Sequence, residues 1–486
     1  MKFFVPNWSS WIERICIVVL FPLASASTSS TEQSSLNSSL ANAPQIKVWL
    51  TNPDKSSLFA QTANINFNNQ SSSLSTITID TATQYQTMDG FGYTLTGGSA
   101  QLMIQKLNST TRSSLLKELF TTENNGIGIS YLRISIGSSD LDDHVFSYDD
   151  LPSGQTDVGL KQFNLGPDNS YLIPVLKEIV KLNPAIKILG SPWSPPPWMK
   201  TNKNAKGGHL DTAYYQAYAN YFVKYIQAMA QQGIIIDAVT LQNEPENPDN
   251  TPSLLMTAEE QKLFIKKYVG PAFRASGIKT KIILFDHNCD HPNYALSVLS
   301  DNAASQFIDG SAFHLYLGDI SALSTVRNAY PMKSVYFTEQ WTSGNGNFAG
   351  DLRWHLQNLI VGAPRNWSKN VLEWNLVADE GFNPHTIGGC TLCQGALTIN
   401  SASGGVTRNV SYYIIAHASK FVRPGSVRIS SNIIDDLYNV AYKTPDGKKV
   451  LIVINTSDVS KTFSINYKSM NASASLQAGA AGTYVW

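Results

Sequence analysis

The stretch "IIIDAVTLQNEPEN", residues 234–247, decides how the chain is read. Residues 234–240 are apolar or β-branched apart from Asp237, the composition of a strand buried on both faces. The run then passes into Asn243, Glu244, Pro245 and Glu246. A surface turn accounts for Pro and Asn there, since both punctuate turns. The alternative is the C-terminal rim of a barrel of parallel strands, where such folds collect their polar chemistry. The rest of the chain distinguishes the two.

Seven more strand-like segments lie around this one: "DGFGYTL" (89–95), "ISYLRISI" (129–136), "IKILGS" (186–191), "KIILFD" (281–286), "GSAFHLY" (310–316), "SVYFTE" (334–339) and "VLEWNL" (371–376). Helical patterns separate most of them. Residues 213–233 repeat apolar positions at helical spacing and stop at Gly233. Thr257, with Glu260 three residues later, forms a capping-box signature. Strands alternating with helices in this number predict an α/β chain folded as a (β/α)8 TIM barrel. Both ends of the chain instead carry short strand-like runs, with "PDG" (445–447) as a turn signal. They predict an attached β-sandwich built from N- and C-terminal segments. The expected division is 44–85 for its first strands, 86–405 for the catalytic barrel and 406–486 for the remaining strands.

The start of the chain reads as an address. Lys2 and Arg14 precede an apolar run, 15–26, that ends in the small residues Ala24, Ser25 and Ala26, the pattern of a signal peptide over 1–26. The run is short for a membrane span, although the long stretch ahead of it leaves an uncleaved anchor as the alternative. Residues 27–43 are Ser- and Thr-rich and read as a disordered leader. A secreted or lysosomal protein is expected, and glycosylation sequons stand at Asn37, Asn69, Asn108, Asn366, Asn409, Asn455 and Asn471. Lys plus Arg equals Asp plus Glu at 36 each, so no overall basic balance points to nucleic acid. Beyond the signal only Cys289, Cys390 and Cys393 remain, which excludes a disulfide framework. Cys390 and Cys393 have the spacing of a small disulfide. A zinc site adding Cys289 and His385 needs four ligands from separate loops.

The strand ends bring together Asp140, Trp193, Asn243, Glu244, Asp286, His287, His314, Tyr316, Glu339 and Trp374. The chain has no phosphate-binding glycine loop, His-Glu-x-x-His motif or Gly-x-Ser-x-Gly elbow. Two carboxylates among aromatic faces suit glycosidic bond cleavage, in which one acid protonates the leaving oxygen and the other attacks or activates water. Glu244 and Glu339 are the candidate pair, with Asn243 a donor to a sugar hydroxyl. Glu246 reads as a loop carboxylate, and Glu373 alternates with Trp374 so as to face the helices. Arg133, inside the second strand, reads either as a charge partner of the acids or as half of a structural ion pair.

"LQNEPEN", "YFTEQW", "SPWSPPPWMKTN", "AFHLY" and "EWNL" together resemble glycoside hydrolase family 30, the family of lysosomal acid β-glucosidase. The resemblance runs from about residue 89 to the final strands. It implies retention of anomeric configuration, with Glu244 as acid/base and Glu339 as nucleophile. It further implies Asp140 as a sugar-binding acid, although Asp142 and Asp143 are neighbours. Trp193 and Trp374 become walls of the sugar subsite, and His314 and Tyr316 a pair beside the nucleophile. Glu244 is expected to have a raised pKa and Glu339 to stay ionised. No metal or organic cofactor is implied. The expected activity is hydrolysis of glucosylceramide, with peripheral contact to a lipid membrane; endo-β-1,6-glucanase activity, or a carbohydrate-binding protein without catalysis, are the alternatives. Lysosomal relatives use a lipid-presenting activator protein, about which these residues say nothing. The chain departs from the lysosomal type in "DEGFNPHTIGGCTLCQGALTI" (379–399), a loop expected to rim the site, where Asn383 and His385 are candidate contacts.

Overall fold

Eight parallel strands close into a barrel in the computed structural model, which describes residues 45–486. The expected signal peptide and leader lie outside the described residues. In chain order the barrel strands are β1 (Gly90–Thr94), β2 (Tyr131–Ser135), β3 (Lys187–Ser191), β4 (Ala238–Thr240), β5 (Lys281–Asn288), β6 (Ile308–His314), β7 (Ser334–Glu339) and β8 (Ser368–Glu373). Each pairs in parallel with the next, and β8 closes on β1 with Glu373 opposite Tyr93. The helices follow their sequence signals. Tyr215–Gln231 buries Tyr218, Tyr221, Phe222 and Tyr225. Thr257 and Glu260 form the reciprocal capping box that starts Ala258–Phe264.

The barrel is filled rather than hollow. Tyr131, Leu189, Ala238, Ile283, Ala312, Tyr336 and Leu372, one from each of β2 to β8, form a separate interior cluster. Side chains alternate along a strand, so the residues two positions further on occupy the layer above, toward the strand ends. That layer is polar. It holds Arg133, Ser191, Thr240 and His314, all buried.

Ten strands from the two ends of the chain form one sheet beside the barrel. The strand Gln45–Thr51 pairs with the final strand Ala481–Val485, and Thr76–Thr87 pairs with Val427–Ser431 and Lys461–Tyr467. The sheet rolls back on itself where Asn68 and Asn471 exchange backbone hydrogen bonds at 2.8 Å. The helix Val410–Ser419 follows the expected division at 405 and packs on β1, its Ser411 carbonyl accepting from the Tyr93 hydroxyl. From this helix, buried His417 bonds Thr51 and Thr483 of the sheet, each at 2.8 Å. Among the sequons, Asn455 is fully buried and donates its amide to three carbonyls, which leaves no room for a glycan.

Candidate active site

The polar layer is built around Asp286. Its Oδ2 accepts from Arg133 (2.9 Å), Ser191 (2.8 Å) and Thr240 (2.7 Å), and its Oδ1 faces Thr338 (2.7 Å) and His314 Nε2 (3.2 Å). Burial raises its proton affinity, but Arg133 and His314 outweigh this and hold the carboxyl far below the usual range. Strict alternation after Ile283 would turn Asp286 outward. Instead the pairing of β5 with β6 slips between Ala312 and Phe313, and Phe285 and Asp286 both take positive φ, 73° and 72°. The extra residue swings the acid inward, the way β-bulges re-aim side chains beside active sites. A second slip, between β6 and β7 at Phe313/His314, accompanies the adjacent inward placement of Thr338 and Glu339.

Above this hub stand the two glutamates. Glu339 Oε2 accepts from Arg133 (2.5 Å) and its Oε1 from the Tyr316 hydroxyl (2.9 Å). Glu244 lies across from it in a left-handed backbone conformation, φ 46°, sparsely populated by non-glycine residues and typical of functional positions. His314 Nδ1 stands between them, 3.2 Å from Glu244 Oε1 and 3.7 Å from Glu339 Oε1. Those two contacts cap the separation of the two oxygens at 6.9 Å. The cap accommodates the ~5–5.5 Å of retaining glycosidases and little of the ~6.5–9.5 Å of inverting ones.

The direction expected for Glu244 is overturned. Burial pushes Glu244 up, yet the hydrogen bond and charge of His314, with His287 and Asn247, hold it at about 2. Burial raises Glu339 above the usual carboxylate value, with His314 and Arg133 opposing. Burial would depress His314, but Glu339, Asp286 and Glu244 surround it and raise it to about 9. Three acids, Glu244, Asp286 and Glu339, lie within 3.7 Å of the imidazole and favour its charged form. Asp140 is raised to about 7 by burial and by the charge of Glu339.

A cavity of about 570 Å³ opens over the pair, lined by Asp140, Trp193, Glu244, Tyr316, Glu339 and Trp374. Asn243 and His314 lie behind it: Asn243 Oδ1 accepts from Arg133 at 2.6 Å, which turns its amide nitrogen outward as a donor. Trp193 is 1% exposed, with the Arg133 guanidinium over its ring (4.8 Å) and Trp374 tilted against it (5.3 Å between centroids). Asp140 rather than its neighbours faces the cavity, since Asp142 is bonded to Ser139 and Asp143 to Gln101. Glu246 is an exposed rim residue beside His291, and Glu373 faces the helices and bonds His355. Asn383 is tied into a turn by Asp379, and His385 bonds the Thr386 carbonyl.

Cys390 and Cys393 are disulfide-bonded, which removes their thiolates from the zinc set, and Cys289 is buried alone. Glu244, His287 and His314 bring ligand-type atoms within 4.8 Å of one another. Asp286 and the hydroxyls around it received no role from the sequence, although an acid ending the apolar run "KIILFD" was the available signal. His287 went equally unassigned. Its Nδ1 is buried without a partner, 4.0 Å from Glu244.

A TIM barrel with two facing carboxylates in a cleft walled by tryptophan defines the protein as a glycoside hydrolase. Residues 88–422 match the Glycosyl hydrolase family 30 TIM-barrel domain and residues 425–484 the Glycosyl hydrolase family 30 beta sandwich domain, so the chain belongs to family 30. It is 37% identical over 397 residues to the endo-1,6-beta-D-glucanase of Neurospora crassa, covering 79% of each chain. The solved endo-beta1,6-glucanase BT3312 superposes with a TM-score of 0.86 at 35% identity, over 91% of this chain and 99% of that one. The lysosomal acid glucosylceramidase of Mus musculus is 28% identical over 435 residues, covering 84% and 83%. The expectation of glucosylceramide as substrate is corrected by this ordering.

Proposed function

We propose that the protein is a retaining endo-β-1,6-glucanase. The observation that carries this reading is the pair Glu244 and Glu339 facing one another across His314 under an open, polar-rimmed cleft. Glu246, Asn247, Asp249 and Asn250 line it beside Pro248, Leu317 and Trp341, which supplies partners for sugar hydroxyls and apolar surface for a sugar ring. The likeness to 1,6-glucanases supports the linkage.

In this mechanism Asp140 and the outward amide of Asn243 bind hydroxyls of the sugar at the cleavage point. Glu339 attacks the anomeric carbon, and the bond to the leaving O6 breaks as Glu244 protonates that oxygen. The proton starts on His314 and crosses to Glu244. Glu339 is the largest charge raising His314, and its charge vanishes as it becomes an ester, so bond formation itself drives the proton toward Glu244. Glu244 then takes a proton from water, whose oxygen attacks the anomeric carbon and releases Glu339. Tyr316 and Arg133 stabilise Glu339 as it leaves.

The test compares initial rates on a linear β-1,6-glucan, a β-1,3-glucan and glucosylceramide micelles. The expected result is early release of mixed oligosaccharides from the β-1,6-glucan alone, lost in Glu244→Gln and Glu339→Gln. Faster turnover of the lipid, or release of glucose only from chain ends, overturns the proposal.

A further inference from the structure

We infer that the Cys390–Cys393 disulfide is a positioning element that ties the sugar-binding Asp140 to the strand of the nucleophile, and that its reduction weakens sugar binding. The connection can be traced atom by atom. Chain beyond Glu339 continues through Gln340 and Trp341 into Thr342–Ser343, which pairs with Cys393–Gln394. Gly344 donates to the Leu392 carbonyl at 2.8 Å, holding the same turn. Cys393 is anchored further by packing with Leu141, Trp193 and Trp374. Its disulfide leads to Cys390, whose backbone N–H donates to Asp140 Oδ2 at 3.1 Å. This is the one hydrogen bond made by the Asp140 carboxylate among the described residues.

The turn also grips the Asp140 backbone. Thr386 N–H donates to the Asp140 carbonyl at 2.9 Å, and a Cβ on Gly389 would come within 2.4 Å of that oxygen. Only glycine lets the turn close so tightly. Both cysteines line the catalytic cavity; Cys393 is buried and Cys390 is partly exposed, so the Cys390 side is the one a small thiol approaches. Without it the Cys390 amide is placed only by the backbone bonds of the turn 386–392, Thr386 N–H to the Asp140 carbonyl and Gly389 N–H to the Thr386 carbonyl. A bridge across a sequence separation of 3 constrains the unfolded chain little, so its role here is local geometry rather than global stability.

Dithiothreitol supplies the test. It passes two electrons and two protons to the bridge, leaving two cysteine thiols and its own cyclic disulfide. Wild type is reduced, thiols are titrated, and kinetics on a linear β-1,6-glucan are run beside Asp140→Asn and Cys390→Ser/Cys393→Ser. Reduction is expected to lower kcat/KM about tenfold or more, chiefly through KM. Reoxidation restores it, the double serine variant starts low and ignores reductant, and Asp140→Asn shows no further loss on reduction. Two new thiols at unchanged KM, or an equal loss in Asp140→Asn, overturns the inference. The substrate choice and the role of Asp140 rest on the glucanase reading. If wild type leaves the glucan uncut, that reading alone fails, and the same comparison is read on an aryl β-glucoside.

Discussion

The guanidinium of Arg133 and the carboxylate of Glu339 meet at 2.5 Å, Nη1 to Oε2, beneath the mouth of the barrel. The same guanidinium reaches Asp286 at 2.9 Å, and both Arg133 and Asp286 are fully buried. Removing the cation strands two acids without their partner, which costs about 3–5 kcal/mol. Arg133→Met is expected to lose about that much in denaturant unfolding. Arg133→Lys keeps the charge but not the fork; it is expected to fold and to lose about tenfold or more in kcat. An Arg133→Met protein as stable as wild type contradicts this account.

The two glutamates are expected to fail differently. Glu339→Gln removes the nucleophile and should lower kcat by about 10³-fold or more on every substrate. Glu244→Gln should cost about 10²–10⁴-fold on the glucan, and far less on an aryl glucoside whose leaving group needs no proton. Added azide is expected to yield β-azide with a Glu244→Ala variant and α-azide with Glu339→Ala. Equal losses on both substrates for Glu244→Gln would remove it from the acid/base role.

The pH profile follows from the charges around His314. Glu339 must be ionised to attack, and burial raises its titration above the usual carboxylate range, which sets the acid limb of kcat/KM. His314 supplies the proton for Glu244 and titrates at about 9, which sets the alkaline limb. His314→Gln should lower the rate and displace the alkaline limb; a limb left in place shows that another group controls it.

His417 links acid to stability where the helix Val410–Ser419 meets the sheet. Burial depresses it to about 3, against an unfolded value of 6.5. The neutral form is favoured by folding, so stability is lost as pH falls from 6.5 toward 3, with a slope approaching about 1.4 kcal/mol per pH unit. His417→Gln, which retains donor and acceptor atoms for Thr51 and Thr483, should flatten that part of a melting-temperature profile. Parallel profiles assign the acid sensitivity to other groups.

The barrel interior gives a packing test away from the chemistry. Leu189 is fully buried among Tyr131, Ala238 and Ile283. Leu189→Ala opens a hole in a filled layer and should cost about 2–5 kcal/mol in unfolding free energy, while KM at temperatures below the transition stays near that of wild type.

The architecture was legible in the order of residues alone, and the acids that face the cleft stood out as candidates. Each barrel strand is an apolar run of one kind, so its presence is a local property, and β7 begins and ends at Ser334 and Glu339 as its residues indicate. Period-two alternation placed Glu373 toward the helices, where it bonds His355, and motif resemblance named Glu244 and Glu339 as candidates, which the structure brings to one cavity. The tertiary structure decided what depends on register and on charge. Asp286 became the hub because β5 carries an extra residue near its end, and alternation read from the sequence cannot see a slip that exists only between paired strands. His314 is shifted up and Glu244 down because three acids converge on one imidazole from three different strand ends. Which linkage is cut was likewise not fixed by the catalytic motifs, since those residues handle the bond and the rim beyond them meets the leaving sugar.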